Sequence, residues 1–174
     1  MDDEYNDIDE IEEGKLWLGS YAPGNTKILK EKGIQKILTV MDSDPANFSY
    51  KQQGFIHKII NINDFDSENI IQYFGECLNF IKGEEKVFVH CAQGASRSAT
   101  IVIAYLMWKK KMTFDKAYDF VKQKRSVVFP NFGFRQQLQM FEKLLFQNCF
   151  DISKIYFRSI KWPEQNKSSY FSLY

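Results

Sequence analysis

The stretch KVFVHCAQGASRS (residues 86–98), followed directly by ATIVIAYL (99–106), decides the fold of this chain. The run Val87–Val89 is β-branched and aromatic, which favours a short buried strand. From residue 99 to 107 the chain is apolar on nearly every face, which is typical of a helix buried in a core. The stretch therefore predicts a central strand, a tight loop containing Gly94, and a central helix.

The loop between this strand and helix has the composition of a phosphate site. Backbone N–H groups at a helix N-terminus lack partners within the helix, and the helix dipole adds positive potential there. Small residues let the backbone close around an anion, and Arg97 has a planar fork that can hold two phosphate oxygens. We expect the phosphate to be held by Ala92, Gln93, Gly94, Ala95, Ser96 and Arg97.

Cys91 stands at the mouth of this loop, six residues before Arg97. In such positive surroundings a thiol pKa falls from ~8.5 to roughly 3.5–7.5, so we expect a thiolate at neutral pH. A thiolate next to a bound phosphate is a nucleophile directed at phosphorus. Ser98 can donate its hydroxyl hydrogen to the sulfur when the sulfur later leaves. Cys91 and Ser98 are therefore candidate catalytic residues.

The motif HCAQGASRS (90–98) resembles the HCxxGxxR[ST] signature of cysteine-dependent protein tyrosine phosphatases, and residues 14–148 resemble their dual-specificity branch. A second motif, PNFGFRQQL (130–138), is similar to the PN-x-GF-x-x-QL pattern of that family. The resemblance implies hydrolysis of phosphotyrosine and phosphoserine or phosphothreonine in proteins, through a thiophosphate on Cys91 and without a metal or other cofactor. In this interpretation His90 orients and tunes the surroundings of Cys91, and Asn131, which also caps a helix, braces the phosphate loop.

The reaction also needs an acid to protonate the leaving oxygen. Asp64 and Asp66 are both candidates, in a polar loop between a strand over 55–62 and a helix over about 67–82. The family carries its acid just before the helix pattern that 69–74 matches, which favours Asp64 and leaves Asp66 or Ser67 as the helix N-cap.

Three other residues have two interpretations each. Arg125 closes the helix that begins after Thr113, and it either contacts substrate, through a second phosphate or an acidic side chain, or is a surface arginine. His57 is more consistent with a half-exposed strand residue than with a catalytic base. Cys77 belongs to the apolar stripe of the 67–82 helix, which favours packing over a role as a resolving thiol.

The predicted fold is α/β, with a mixed, mostly parallel sheet of four or five strands flanked by helices and the active loop at the carboxyl end of the strand before Cys91. We expect three segments: an acidic, solvated lead (1–13), a catalytic domain (14–148) and a C-terminal extension (149–174) that either packs as an extra element or stays mobile. A polar loop over 42–53 contains Pro45.

The composition limits the partners and the cellular compartment that we expect for this protein. The chain has 174 residues and a net charge of +1, which does not favour a nucleic-acid partner. Its three cysteines are too few and too widely spaced for a disulfide framework, so we expect a reducing compartment, the cytoplasm or the nucleus. No apolar run reaches the ~20 residues of a membrane span. The expected partners are phosphorylated proteins, kinases among them, and the expected state is a monomer or weak dimer.

Two alternatives to a protein phosphatase are compatible with part of the sequence. The same chemistry could act on phosphoinositides, RNA 5′-triphosphates or phosphoglucans, but the loop lacks the lysines of inositide-directed relatives and the chain shows neither an extended basic patch nor a carbohydrate-binding module. A catalytically dead phosphopeptide-binding module would typically lack Cys91, Arg97 or the acid, and all three are present. Only two histidines and no CxxC pair make a zinc site improbable.

Overall fold

A computed structural model describes residues 7–21, 26–42 and 50–162. The first six residues of the acidic lead, the Pro45 part of the 42–53 loop and the tail from residue 163 onward lie outside this described part. Among the described residues, no helix is both long and apolar enough to cross a membrane.

Five strands form one sheet in the order β1-β2-β5-β3-β4. β1 pairs antiparallel with β2, and the other neighbours pair in parallel. The predicted mixed, mostly parallel sheet is confirmed. The strands are β1 (Ile8–Glu12), β2 (Leu16–Ser20), β3 (Lys36–Val40), β4 (Ile56–Ile60) and β5 (Val87–Cys91).

Alternate residues along the central strands enter two separate cores, one on each side of the sheet. The larger core contains Val87 and Val89 and is covered by α2 to α5, whereas Phe88 faces the smaller core under α1. α3 is buried along almost its whole length, as its apolar sequence predicts. The helices are α1 (Thr26–Glu31), α2 (Phe74–Ile81), α3 (Arg97–Lys110), α4 (Phe114–Lys124) and α5 (Phe132–Gln147).

The acidic lead is not a solvated terminus throughout, because residues 8–12 form β1 at the edge of the sheet. The two apolar residues of β1 point to opposite sides: Ile8 enters the smaller core and Ile11 the larger. Each face of the strand thus shows one apolar residue among several carboxylates, so no periodic pattern is visible in the sequence.

The helix expected over 67–82 begins later than predicted, and neither Asp66 nor Ser67 caps it. A 3₁₀ turn over Ile71–Tyr73 leads into α2 at Phe74. The Ile71 N–H donates instead to Gln137 Oε1 of α5, at 3.0 Å. An acceptor 66 residues away in sequence therefore replaces a local N-cap.

The first part of the C-terminal extension packs as an extra element. Two 3₁₀ turns, Ile152–Lys154 and Phe157–Ser159, follow α5. Ile155 and Phe157 are buried in the larger core.

Candidate active site

Cys91 is the last residue of β5, at the carboxyl edge of the parallel strands, where the sequence predicts the active loop. Its side chain is buried in the floor of a cleft of about 630 Å³. Cys91 Sγ accepts hydrogen bonds from the Gly94 N–H, at 3.2 Å, and from Ser98 Oγ, at 3.1 Å. Two donors are thus directed at one sulfur, where they can stabilise negative charge that develops on it during a reaction.

The N-terminus of α3 faces the same cleft. Ser96 occupies the N-cap position, but its side chain makes no capping bond to the helix. Ser96 Oγ instead donates to Asp64 Oδ1, at 2.6 Å, and accepts from the Asn131 N–H, at 3.1 Å. The Ser96 hydroxyl therefore does not accept from the first N–H groups of α3. These N–H groups keep the positive end of the helix directed at the cleft.

Arg97 begins α3, and its side chain is only 9% exposed. Its Nη1 donates to Asp42 Oδ1 at 3.1 Å and to the Ile62 carbonyl oxygen at 3.3 Å, which fixes the plane of the guanidinium group. Arg97 Nε is buried and makes no hydrogen bond to the part of the chain that is described, while Asp64 Oδ2 lies 3.7 Å from it. This fork lines the cleft together with Cys91 and can offer a donor to an anion there.

The two candidate acids are separated by the structure. Asp64 lines the cleft, with Oδ1 bonded to Ser96 Oγ and, at 2.9 Å, to Asn131 Nδ2. Asp66 turns to α5, where its Oδ1 accepts from the Gly133 N–H at 3.3 Å. Of the two, only Asp64 shares the cleft with Cys91, so the geometry favours Asp64 as the acid. We call residues 63–69 the acid loop.

Asn131 joins three parts of the site. Its Oδ1 accepts from the Phe134 N–H at 2.8 Å and so caps α5, as the sequence predicts. Its backbone N–H holds Ser96 of the phosphate loop, and its amide nitrogen holds the Asp64 carboxylate. The contact to the phosphate loop is thus made by the main chain of Asn131, whereas the side chain reaches the acid.

Arg125 corrects our expectation of a substrate contact, and it is not a surface arginine either. It is 3% exposed and lies behind the phosphate loop, outside the lining of the cleft. Nε donates to the Gly94 carbonyl oxygen and Nη2 to that of Gln93, both at 2.9 Å. The same guanidinium group pairs with Asp7 and Asp9 at the start of the sheet. Arg125 therefore ties the phosphate loop to β1.

The ion pair also alters the pKa values of its members. The Arg125 guanidinium group, through its hydrogen bond, lowers the pKa of Asp7 below the usual range of an aspartate. Burial works against the charge of Arg125, but the two aspartates outweigh it and raise the arginine pKa. Asp7 and Arg125 are thus both charged at neutral pH.

Gly94 needs to be a glycine for two reasons. Its φ is +64°, in the left-handed region that side chains disfavour. A Cβ built on it would lie only 2.4 Å from the Gly19 carbonyl oxygen and 2.8 Å from Arg125 Nη2. The loop can therefore approach β2 and Arg125 this closely only without a side chain at residue 94.

His90 lies beneath the nucleophile and is fully buried. Burial, the largest cause, lowers its pKa to about 3, so the imidazole is neutral. Its Nε2 lies 2.7 Å from Thr39 Oγ1, which in turn lies 2.8 Å from Nε2 of the half-buried His57. His90 therefore brings no positive charge to the neighbourhood of Cys91, and His57 is outside the cleft lining.

The other cysteines differ in their surroundings. Cys77 is fully buried in the larger core, and burial raises its thiol pKa, which agrees with a packing role. Cys149 is exposed beyond α5. Among the described residues, no group of three or more potential ligands could hold a metal ion.

Ala92, Gln93 and Ala95 also line the cleft, and its outer wall is apolar. Val127 and Phe129, both more than half exposed, form this wall after the end of α4. Sequence reasoning did not single them out, because two apolar residues in a connecting loop have no periodic signal.

The comparisons with known proteins agree with this geometry. The family model "Dual specificity phosphatase, catalytic domain" matches residues 16–144. Dual specificity protein phosphatase 1 of Arabidopsis thaliana is 44% identical over 139 residues, which is 76% of this chain and 68% of that protein. The MAP kinase phosphatase with leucine-rich repeats protein 1 of Dictyostelium discoideum is also 44% identical, over 133 residues, but these are 74% of this chain and only 16% of that protein.

Among solved structures, the human tyrosine phosphatase-like serine/threonine/tyrosine-interacting protein superposes with a TM-score of 0.74 at 36% identity, covering 80% of this chain and 97% of that one. This chain belongs to the dual specificity phosphatases, which hydrolyse phosphotyrosine and phosphoserine or phosphothreonine in proteins through a cysteinyl-phosphate intermediate. The family resemblance of the two sequence motifs is thereby confirmed.

Proposed function

We propose that Cys91 is the nucleophile of this phosphatase, Arg97 and the loop amides hold the phosphate, and Asp64 is the general acid and then the general base. The observation that carries the proposal is the meeting of three groups in one cleft: the Cys91 sulfur with its two donors, the Arg97 fork, and the Asp64 carboxylate. Cys91 lies at the end of β5, Arg97 at the start of α3, and Asp64 in the acid loop. The chemistry therefore depends on the fold and not only on the local motif.

In the first step, the Cys91 thiolate attacks phosphorus and an S–P bond forms. The bond from phosphorus to the ester oxygen breaks, and the Asp64 carboxylic acid transfers its proton to that oxygen, so the substrate leaves as a neutral alcohol or phenol. The negative charge on the equatorial oxygens meets Arg97 and the N-terminal amides of α3.

In the second step, the Asp64 carboxylate takes a proton from a water molecule whose oxygen attacks phosphorus. The S–P bond breaks, inorganic phosphate forms, and the sulfur leaves as a thiolate. Ser98 Oγ and the Gly94 N–H already donate to this sulfur, so they stabilise the leaving thiolate. No group outside the chain other than water is consumed.

We further propose that the natural substrates are phosphorylated protein kinases. The name of the Dictyostelium relative, a MAP kinase phosphatase, supports this class. The uncharged side chains of Ala92, Gln93, Ala95 and Ser96 around the phosphate site also favour proteins over the more highly charged phosphoinositides. We place the activity in the cytoplasm or nucleus, where such substrates occur and thiols stay reduced.

The first experiment measures hydrolysis of para-nitrophenyl phosphate in EDTA by the natural chain, Cys91→Ser and the matched control Cys149→Ser. We expect vanadate-sensitive turnover for the natural chain and the control, and none for Cys91→Ser. Rapid acid quenching followed by peptide mass spectrometry should place the trapped phosphate on the peptide that contains Cys91.

Absence of turnover in the reduced natural chain would contradict the proposal. The human tyrosine phosphatase-like serine/threonine/tyrosine-interacting protein then becomes the better guide, and phosphopeptide affinity should be measured. If Cys91→Ser keeps full activity, the nucleophile lies elsewhere. Panels of singly phosphorylated peptides from kinase activation segments, compared with inositol phosphates, then test the substrate class.

A further inference from the structure

The segment 151–162 lies beyond the range that the family model matches, yet it runs to the acid loop. We call this segment the C-terminal strap. It begins where Trp108 Nε1 of α3 holds the Phe150 carbonyl oxygen at 3.0 Å, and it ends at Trp162. The strap thus connects the end of α5 with the loop that carries Asp64.

Phe157 anchors the middle of the strap. Its side chain is 7% exposed, and its ring centre lies 5.8 Å from that of Phe141 in α5. The ring also covers Gly75 of α2 so closely that a Cβ on Gly75 would lie 2.6 Å from Phe157 Cδ2. The absence of a side chain at residue 75 is therefore what allows the strap to seat.

The far end of the strap holds the acid loop by two hydrogen bonds. Trp162 Nε1 donates to the Asp66 carbonyl oxygen at 3.0 Å. Asn69 Nδ2 donates to the Ile160 carbonyl oxygen at 2.8 Å. Both bonds connect the strap to a loop that has neither helical nor strand hydrogen bonding over 63–69.

The opposite side of the acid loop rests on α5. The Gly133 N–H donates to Asp66 Oδ1, and a Cβ on Gly133 would lie 1.9 Å from the Asp66 carbonyl oxygen. Gln137 Nε2 holds the Glu68 carbonyl oxygen at 2.8 Å. The Asp66 carbonyl group is therefore enclosed between α5 on one side and the Trp162 indole on the other.

We propose that the C-terminal strap is a positioning element for the general acid, with Trp162 as its contact and Phe157 as its anchor. The inference rests on the proposed role of Asp64, which lies two residues before the clamped Asp66. Contacts from Ser96 and Asn131 aim the Asp64 carboxylate, but the main chain that carries it is fixed from outside by α5 and the strap. Loosening the strap lets the carboxylate move away from the leaving oxygen while Cys91 and Arg97 stay in place.

A role in positioning the acid predicts that the strap affects substrates with poor leaving groups more than substrates with good ones. A leaving group that is stable as an anion needs little protonation, whereas a poor leaving group depends on the acid. We therefore compare kcat for phenyl phosphate, a poor leaving group, with kcat for para-nitrophenyl phosphate, a good one. Trp162→Phe keeps an aromatic ring and removes one N–H donor. Loss of one hydrogen bond predicts a fall of about 3- to 10-fold for phenyl phosphate, and less than about 2-fold for the nitrophenyl ester.

A second variant displaces the strap without replacing any residue of the strap or of the acid loop. Gly75→Ala puts a methyl group against the Phe157 ring, while alanine suits the helical position of residue 75. We expect the same selective loss for phenyl phosphate in a protein that still unfolds cooperatively. Tyr156→Ala is the matched control in the strap, because the Tyr156 side chain is 81% exposed, and it should leave both rates unchanged.

Asp64→Asn separates the failure of this proposal from the failure of the proposed mechanism. If Asp64→Asn shows the leaving-group dependence but Trp162→Phe and Gly75→Ala do not, the strap has no positioning role. If Asp64→Asn itself treats both esters alike, the acid assignment is wrong and the strap proposal falls with it. Equal losses for both esters in the strap variants would indicate a general structural role and overturn the proposal as well.

Discussion

Replacing Arg125 by methionine tests whether this residue supports the phosphate loop or contacts substrate. The change keeps an apolar side chain of similar length but removes every donor. In the structure these donors serve two carbonyl groups of the phosphate loop, those of Gly94 and Gln93, and two carboxylates, those of Asp7 and Asp9. The guanidinium group is buried, at 3% exposure, and has many partners, so its removal breaks many contacts in a single substitution.

The size of the effect follows from the exposure of the partners. Breaking a buried charge pair costs about 3–5 kcal/mol, because the remaining charge is left without a partner. The Asp7 side chain is 20% exposed and that of Asp9 41%, so water solvates part of what the arginine leaves. We therefore expect the lower end, a loss of about 3 kcal/mol in the free energy of unfolding, from a typical total of about 5–15 kcal/mol.

Urea unfolding followed by tryptophan fluorescence measures this loss, and a double-mutant cycle with Asp7→Asn assigns it to the pair. The two changes should be non-additive by at least about 1 kcal/mol, because each removes the same contact. Arg125→Met should also weaken inhibition by vanadate, since the Gly94 and Gln93 carbonyl groups lose their anchor. An unchanged stability and vanadate affinity, with a higher KM only for doubly phosphorylated peptides, would refute the reasoning and restore a substrate contact.

Three further predictions concern the loop and its surroundings. Gly94→Ala should abolish measurable vanadate protection in thermal unfolding, whereas Gly54→Ala, at φ +91° but with open space around it, should lose some stability and keep vanadate binding. Because the folded pKa of His90 is about 3, against an ordinary value of 6.5, its contribution to stability is full above about pH 6.5. That contribution is lost as the pH falls towards 3, and the free energy of unfolding then decreases by about 1.4 kcal/mol per pH unit. His90→Asn should make the free energy of unfolding less dependent on pH over this range. Ser98→Ala should slow the breakdown of the intermediate about 10-fold, seen as a burst of nitrophenol and accumulation of phosphate on Cys91, and a variant without a burst would remove Ser98 from the second step.

The parts of the site that the sequence predicts are those that its local order determines. Cys91 and Ser98 lie within one strand–loop–helix unit, so the composition of a short stretch is enough to predict that the Ser98 hydroxyl lies next to the Cys91 sulfur. The cap of α5 by Asn131 depends on a neighbour three residues away, and it is confirmed.

The remaining parts depend on contacts between distant residues, which spacing along the chain does not encode. Arg125 finds its carboxylates 118 and 116 residues earlier, at Asp7 just before β1 and at Asp9 within it, in a segment whose composition resembles a solvated terminus. The 3₁₀ turn before α2 donates through the Ile71 N–H to Gln137 and not to a nearby aspartate. The family pattern favours Asp64 over Asp66, but the contacts that separate the two carboxylates come from distant residues: Ser96 and Asn131 hold Asp64, whereas Gly133 of α5 holds Asp66.

The contacts of Arg125 bear on how this enzyme should be produced in the laboratory. An expression fragment trimmed to the family match, 16–144, would discard β1 with both carboxylates that hold Arg125, and also Phe157 and Trp162. Such a fragment would retain Cys91, Arg97 and Asp64, yet its phosphate loop and acid loop would each lose an outside support. Low turnover of that fragment would then reflect where the gene was cut rather than the chemistry of the enzyme, and residues 7–162 are the shortest span that keeps both supports.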